Sequence, residues 1–167
     1  MEKAEILLIE DDKSIRNILV KLLSLEGYFV HSAENGVKGL ELISSKDICM
    51  VLTDVKLPDI SGIELVQRIK ERNSDIEIVV LTAYGNISDA VQAMKYGAFD
   101  YLRKGEDDDK IPFIVGRAVE KNKLTRRLKR LESRVRDLSD FDSLIGKSKP
   151  FVEALELAKK VANTSTT

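Results

Sequence analysis

The stretch EILLIEDDKSIRNILV, residues 5–20, sets four consecutive apolar residues before Glu10, Asp11 and Asp12 and then takes up helical spacing at once. Ile15, Ile18, Leu19, Leu22, Leu23 and Leu25 carry that spacing to Gly27, a residue suited to the left-handed turn that closes a helix. A buried strand that runs through a short acidic turn into an amphipathic helix is the repeating unit of an α/β protein. Four more apolar runs of strand length follow, at 28–33, 48–53, 76–82 and 98–102, with helical patterns at 36–45, 61–72 and 87–96 between them. The last two helices are expected to end near Asn73 and Gly97.

The first, third and fourth runs are apolar throughout instead of alternating, as parallel strands covered on both faces require. Right-handed crossovers then predict an open, doubly wound, five-stranded parallel sheet of the flavodoxin-like order 2-1-3-4-5, with a C-terminal helical extension. Ligands of such sheets bind at the carboxyl ends of the strands, where the strand order reverses.

The 167 residues are 43% hydrophobic and 33% charged, enough for one core of ordinary size with an appendage. The net charge of −1 gives no global field to favour nucleic acid or membrane. Cys49 is the single cysteine and lies in the apolar run ICMVL, which predicts a buried, inert thiol and fits a reducing compartment. The N-terminus is too soon interrupted by acids for a signal peptide or a membrane span, so a cytoplasmic location is expected.

Beyond residue 110 the pattern changes. Pro112 suits the first turn of a helix, and the aspartates at 107–109 place negative charge by its N-terminal end. That helix is predicted to run to about 139, past the domain edge. Leu124, Leu128, Leu131, Val135 and Leu138 form a short heptad seam within it, the pattern of a short coiled coil. Residues 117–136 carry nine basic and two acidic side chains, distributed all round the helix and without aromatic partners, which reads as a solvated face. Residues 140–167 start a new unit in which Pro150 opens a further amphipathic helix, and with so little chain to complete a core the sequence is expected to be cut short.

On the doubly wound fold, Glu10, Asp11 and Asp12 lie just past the first strand and Asp54 at the end of the third, neighbouring strands at the switch point. Carboxylates this close resist joint ionisation unless a cation sits among them. Oxygen-only donors without histidine or cysteine favour a hard ion, and an open site of few carboxylates suits Mg2+. The fourth strand ends in Thr82 and the fifth leads to Lys104. Carboxylate, Mg2+, hydroxyl and ammonium around one cavity could place a phosphoryl group on Asp54. Asp11 or Asp12 could instead cap the helix from 13.

At these residues the sequence resembles a bacterial response-regulator receiver domain of the CheY-like fold. ILLIEDDKSIR, VLTDVKLPDISGIELV, VVLTAYG and AMKYGAFDYLRK follow that family's motifs in order, over about residues 4–120. The resemblance implies that Asp54 is the phosphoacceptor and that Mg2+ is held by Glu10, Asp11, Asp54 and the backbone carbonyl of Lys56. Asp12, one place late, is then the helix cap. The same resemblance makes Thr82 and Tyr101 the switch residues and Lys104 the conserved-type lysine. Gly105 stands where the family usually has proline, so a trans or rearranged loop is expected there.

AYGNISDAVQAMKYGAFDYL and the tail LIGKSKPFVEALELAKKVANTSTT are similar to NtrC-like sigma-54-dependent activators. That similarity implies a receiver at 1–119, a helical or coiled-coil linker at 120–139 and the start of an AAA+ domain at 140–167. GKS at 146–148 is not a phosphate-binding loop, because Phe141 stands where its first glycine is required, so ATP hydrolysis is not expected. The expected partners are a sensor histidine kinase and a second copy of the chain, joined by the linker or by the face of the fourth helix and fifth strand. Sigma-54 RNA polymerase and DNA are reached only through domains outside this sequence, and no membrane is involved.

Two other readings use the same corner. A Mg2+-dependent phosphatase with an aspartate nucleophile needs a second acid two residues on, where Lys56 stands. A flavin or nucleotide binder needs a glycine-rich loop after the first strand, which is absent. A dimerisation module with degenerate phosphorylation chemistry is the remaining alternative. His31, the single histidine, is placed in or beside the second strand in a packing or solvent-facing role.

Overall fold

The computed structural model describes residues 3–147, with side chains described as far as residue 135. The expected helix opened by Pro150 lies outside the described residues. The strands are β1 (Glu5–Ile9), β2 (Phe29–Ala33), β3 (Met50–Asp54), β4 (Glu77–Thr82) and β5 (Asp100–Arg103). Between and after them run α1 (Lys13–Leu25), α2 (Gly36–Ser45), α3 (Gly62–Arg72), α4 (Ile87–Lys95) and α5 (Ile111–Lys147). The sheet is parallel, in the order β2-β1-β3-β4-β5.

Solvent is excluded from both faces of the three central strands. β3 and β4 are buried at every position, and β1 at all but Glu5. The edge strands β2 and β5 are only partly covered. Because successive side chains alternate across a strand, two cores form. Leu7, Ile9, Val51, Ile78 and Val80 pack on one face with Leu65, Val66 and Ile69 of α3. Ile6, Leu8, Met50, Leu52, Val79 and Leu81 pack on the other with Leu19 and Leu23 of α1 and Ile111, Val115 and Ala118 of α5. Each fully buried leucine or isoleucine contributes about 1.5–3 kcal/mol relative to exposure.

Strand starts shift by a residue or two from the expected ones. Ile48, Cys49 and Ala98 stay buried, but the ladders begin at Met50 and Asp100. Asp12, Asn35, Ser61 and Asn86 accept N–H bonds at the starts of α1, α2, α3 and α4, the expected chemistry of those turns. Gly27 (φ +91°) and Gly97 (φ +92°) follow α1 and α4.

The contacts divide the chain into two units, Met1–Arg126 and Arg127–Thr167. Within the first, α5 is tied down at Asn122, whose side-chain amide donates to the Asp75 carbonyl at 2.7 Å, and at Arg126, which pairs with Asp47 at 2.8 Å. The helix does not stop at 139 but continues to Lys147, with no proline between 139 and Pro150 to break it. Of the expected seam, Leu124, Leu128, Leu131 and Val135 are exposed, and the side chain of Leu138 is outside the described set.

His31 lies in β2 and faces a partner that sequence reading missed: its Nε2 is 2.8 Å from Glu5 Oε2 on β1. Cys49 is buried, which pushes its thiol above the ordinary range, and its Sγ–H donates to the Glu5 carbonyl. No helix among the described residues is long and apolar enough to cross a membrane.

Candidate functional site

Parallel register brings the carboxyl ends of the strands to one edge. Ile9 pairs with Thr53, Asp54 with Leu81, and Thr82 with Arg103, so the residues at or just beyond these positions are neighbours. Glu10 follows β1, Asp54 closes β3, Thr82 closes β4 and Lys104 follows β5. Carboxylate oxygens of Glu10, Asp11 and Asp54 lie within 4.8 Å of one another. Asp11 is exposed, whereas Glu10 is 1% exposed and Asp54 7%.

Like charges in so dry a corner need compensation, and the Lys104 ammonium supplies it. Its Nζ is 2.6 Å from Glu10 Oε2 and 2.6 Å from Asp54 Oδ2. Burial raises the Glu10 carboxyl above its ordinary value, and Lys104 offsets that rise only in part. Burial alone would lower Lys104, but hydrogen bonds to Asp54 and Glu10 outweigh it and raise the ammonium above the ordinary lysine value. The corner was expected to need a cation; a side chain of the protein provides one. One oxygen of Glu10 and one of Asp54 are thereby engaged, and the remaining oxygens, with Asp11, are a hard, oxygen-only donor set of the kind Mg2+ takes.

The sequence profile of the response regulator receiver domain matches residues 6–115. The chain belongs to this receiver family. Two curated relatives extend the match: a putative NtrX-like response regulator of Rickettsia typhi is 34% identical over 84% of this chain. The transcriptional regulatory protein ZraR of Klebsiella oxytoca is 38% identical over 74% of it. The chain spans less than a third of either relative, 30% and 28% of their lengths. Among solved structures, the response regulator protein TrrA of Thermotoga maritima, in complex with Mg2+ and BeF, superposes with a TM-score of 0.64 at 30% identity. That match covers 69% of this chain and 98% of the other. The beryllofluoride-activated NtrC4 receiver domain dimer gives 0.67 at 28% identity, over 71% and 98%.

The other singled-out residues of this receiver domain fall around the corner. The Asp12 carboxylate accepts from Ser14 N–H at 2.7 Å and Ile15 N–H at 2.9 Å, so it caps α1, and those two bonds hold it below the ordinary aspartate range. Thr82 is buried and its hydroxyl oxygen accepts from Tyr84 N–H at 3.1 Å. Tyr101 packs its ring against the core, and its hydroxyl is buried without a hydrogen-bond partner. Burial raises that hydroxyl's pKa above the ordinary tyrosine value. Lys56 N–H approaches Asp54 Oδ1 at 3.4 Å, and its ammonium lies 4.5 Å from the centre of the Tyr84 ring. No peptide bond among the described residues is cis, and Gly105 sits at φ +84°.

Three contributors to the corner were not found by sequence reading. Arg16, one helical turn into α1, donates from Nη1 to the carbonyls of Glu10 (2.5 Å) and Asp11 (3.1 Å), fixing the acidic turn from behind. Asp59 accepts from Gly36, Val37 and Ile60 N–H groups at 2.8–2.9 Å, tying the loop after β3 to the start of α2. Gly62 lets the start of α3 lie against the Asp54 backbone, where a Cβ would come 2.0 Å from the Asp54 carbonyl oxygen. Of these, only the SG step before the IELV helix in the sequence hinted at a close approach.

Proposed function

We propose that Asp54 accepts a phosphoryl group in a Mg2+-dependent reaction and that this switches the association state of the chain. The observation that carries the reading is the ammonium of Lys104 set 2.6 Å from both Asp54 and Glu10, beside Asp11, at the strand ends of a receiver fold. In the reaction an Asp54 carboxylate oxygen attacks phosphorus and forms the new O–P bond. The bond from phosphorus to the donor breaks, and the donor atom leaves with the electron pair. With a sensor histidine kinase as donor, that atom is an imidazole nitrogen of a phosphohistidine protonated on its other ring nitrogen, so the ring that takes the electron pair leaves as neutral imidazole.

Lys104 would pair with charge on the transferring oxygens, and Glu10, Asp11, Asp54 and the Lys56 carbonyl would hold the metal. Bound there, Mg2+ supplies charge neutralisation for the phosphoryl oxygens. The chain is then a stoichiometric acceptor, not a turnover enzyme. Thr82 would turn its hydroxyl to donate to a phosphoryl oxygen, and Tyr101, whose buried hydroxyl lacks a partner, would follow it as the second switch residue.

The output is a homodimer, formed through the exposed seam Leu124, Leu128, Leu131 and Val135, the α4–β5 face, or both. By the similarity to NtrC-like activators, the chain would run from a receiver (1–119) through a linker (120–139) to the opening of an AAA+ domain (140–167). Sigma-54 RNA polymerase and DNA are contacted only by domains beyond this sequence, and the setting is cytoplasmic.

Sedimentation velocity of the chain, with and without Mg2+ and beryllofluoride as a phosphoryl stand-in, tests the switch. A shift in sedimentation coefficient is expected in the wild type and not in Asp54→Ala. An unchanged wild-type distribution over a wide concentration range would rule out control of association.

A further inference from the structure

The segment Lys104–Lys110 reads as a charge run leading into α5, and aspartates there are expected to serve the N-terminus of that helix. Two of them also bond backwards. Asp107 makes no side-chain cap onto the turn that follows it; its Oδ2 accepts from the Arg103 N–H at 2.9 Å. Asp108 Oδ1 accepts from the Gly105 N–H at 2.9 Å. The intervening Lys104 N–H donates to the Thr82 carbonyl at 2.8 Å, and Asp107 N–H closes back on the Arg103 carbonyl at 2.9 Å. Consecutive N–H groups on both sides of Lys104 are therefore each fixed by a named acceptor. Asp107 is itself held by Lys110, whose Nζ is 2.7 Å from its Oδ1.

The geometry matters because Lys104 lies one residue past the end of β5, where its own N–H on the Thr82 carbonyl is the last bond to β4 and the loop that follows must hold the other side. A lysine side chain is long and loses much rotamer freedom when held, so its ammonium meets two carboxylates at once only from a fixed backbone. Gly105 at φ +84° turns the chain that follows so that Asp108 meets the Gly105 N–H; a Cβ there would enter open space, so the requirement is conformational and not steric. Proline at this position could neither adopt that φ nor donate.

We propose that Asp107 and Asp108, acting through the backbone of Arg103 and Gly105, are positioning residues for Lys104 in phosphoryl transfer, a role that rests on the reading of Asp54 as phosphoacceptor. The test uses the whole chain with acetyl phosphate, following the rate of phosphoryl gain against Mg2+ concentration for wild type, Asp108→Ala, Asp108→Asn and Gly105→Ala. Asp108→Ala is expected to slow the reaction on the order of tenfold at saturating Mg2+ while leaving its Mg2+ midpoint in place, since a small misplacement of a charge costs rate more than metal binding. Asp108→Asn keeps an acceptor oxygen at the same point and is expected to restore most of the rate. Gly105→Ala, strained at its φ, is expected to be slow as well, which covers the case of Asp108→Ala failing to fold.

Wild-type rates in Asp108→Ala or Gly105→Ala overturn the positioning role alone, as does an Asp108→Asn protein as slow as Asp108→Ala. A wild type that takes no phosphoryl group overturns this role and the phosphoacceptor reading together.

Discussion

Replacing Lys104 with methionine is expected to lower the unfolding free energy by about 3 kcal/mol near neutral pH, the scale of removing one partner from a buried ion pair. The loss comes from what remains: Glu10, 1% exposed, and Asp54, 7% exposed, with no ammonium between them. Its pH dependence has a definite sign. Glu10 is raised above its unfolded value by burial, and removing Lys104 takes away the interactions that oppose that rise. The folded variant then binds a proton more tightly than the unfolded chain, so its stability recovers as the pH falls through the raised Glu10 value. In the wild type the raised Lys104 contributes stability that is fully present below the ordinary lysine value and is lost as the pH climbs through the folded one. Urea unfolding by circular dichroism at neutral and mildly acidic pH measures this, the chain having no tryptophan to report by fluorescence. A gap that stays constant across the two pH values would show that the pair is not electrostatically coupled.

Gly62→Ala is expected to cost about 3 kcal/mol, at the upper end of overpacking penalties, because the new Cβ meets backbone and not a movable side chain. It would sit 2.0 Å from the Asp54 carbonyl oxygen, 2.8 Å from the carbonyl carbon and 3.0 Å from Val55 Cα. Alanine is otherwise the better residue near a helix start by up to about 1 kcal/mol, so the sign of the change is informative. The Gly62 N–H also donates to the Val55 carbonyl at 2.9 Å, so relief by moving α3 away breaks that bond. Any such shift displaces Asp54, and phosphoryl uptake is expected to fall with stability. A variant within about 0.5 kcal/mol of wild type, the range of an ordinary surface change, would mean that the start of α3 is free to move.

The legible parts of this protein are those fixed by local pattern. β1, β3 and β4 could be read because strands covered on both faces cannot alternate, and α1 because Asp12, its apolar spacing and Gly27 mark start, face and end. The convergence of Glu10, Asp11, Asp54, Thr82 and Lys104 followed from strand order, since parallel register carries strand ends to one edge. What sequence reading missed depends on contacts between distant segments. That Lys104 bridges two carboxylates depends on a loop whose shape turns on one positive φ at Gly105 and on aspartates that bond backwards. Asp59 and Gly62 act on neighbours 22 or 23 residues away in the chain or across a backbone contact, and Arg16 through two carbonyls, none of which has a spacing rule. The end of α5 was placed too early because nothing between 139 and Lys147 obliges a helix to stop.

The most direct measurement is the intact mass of the chain after incubation with acetyl phosphate and Mg2+, beside a chelated sample and an Asp54→Ala control. A gain of one phosphoryl group in the first sample alone is the predicted result. A gain that persists without Mg2+ or in Asp54→Ala, or no gain in the wild type, would contradict the account of this corner as a phosphoacceptor site.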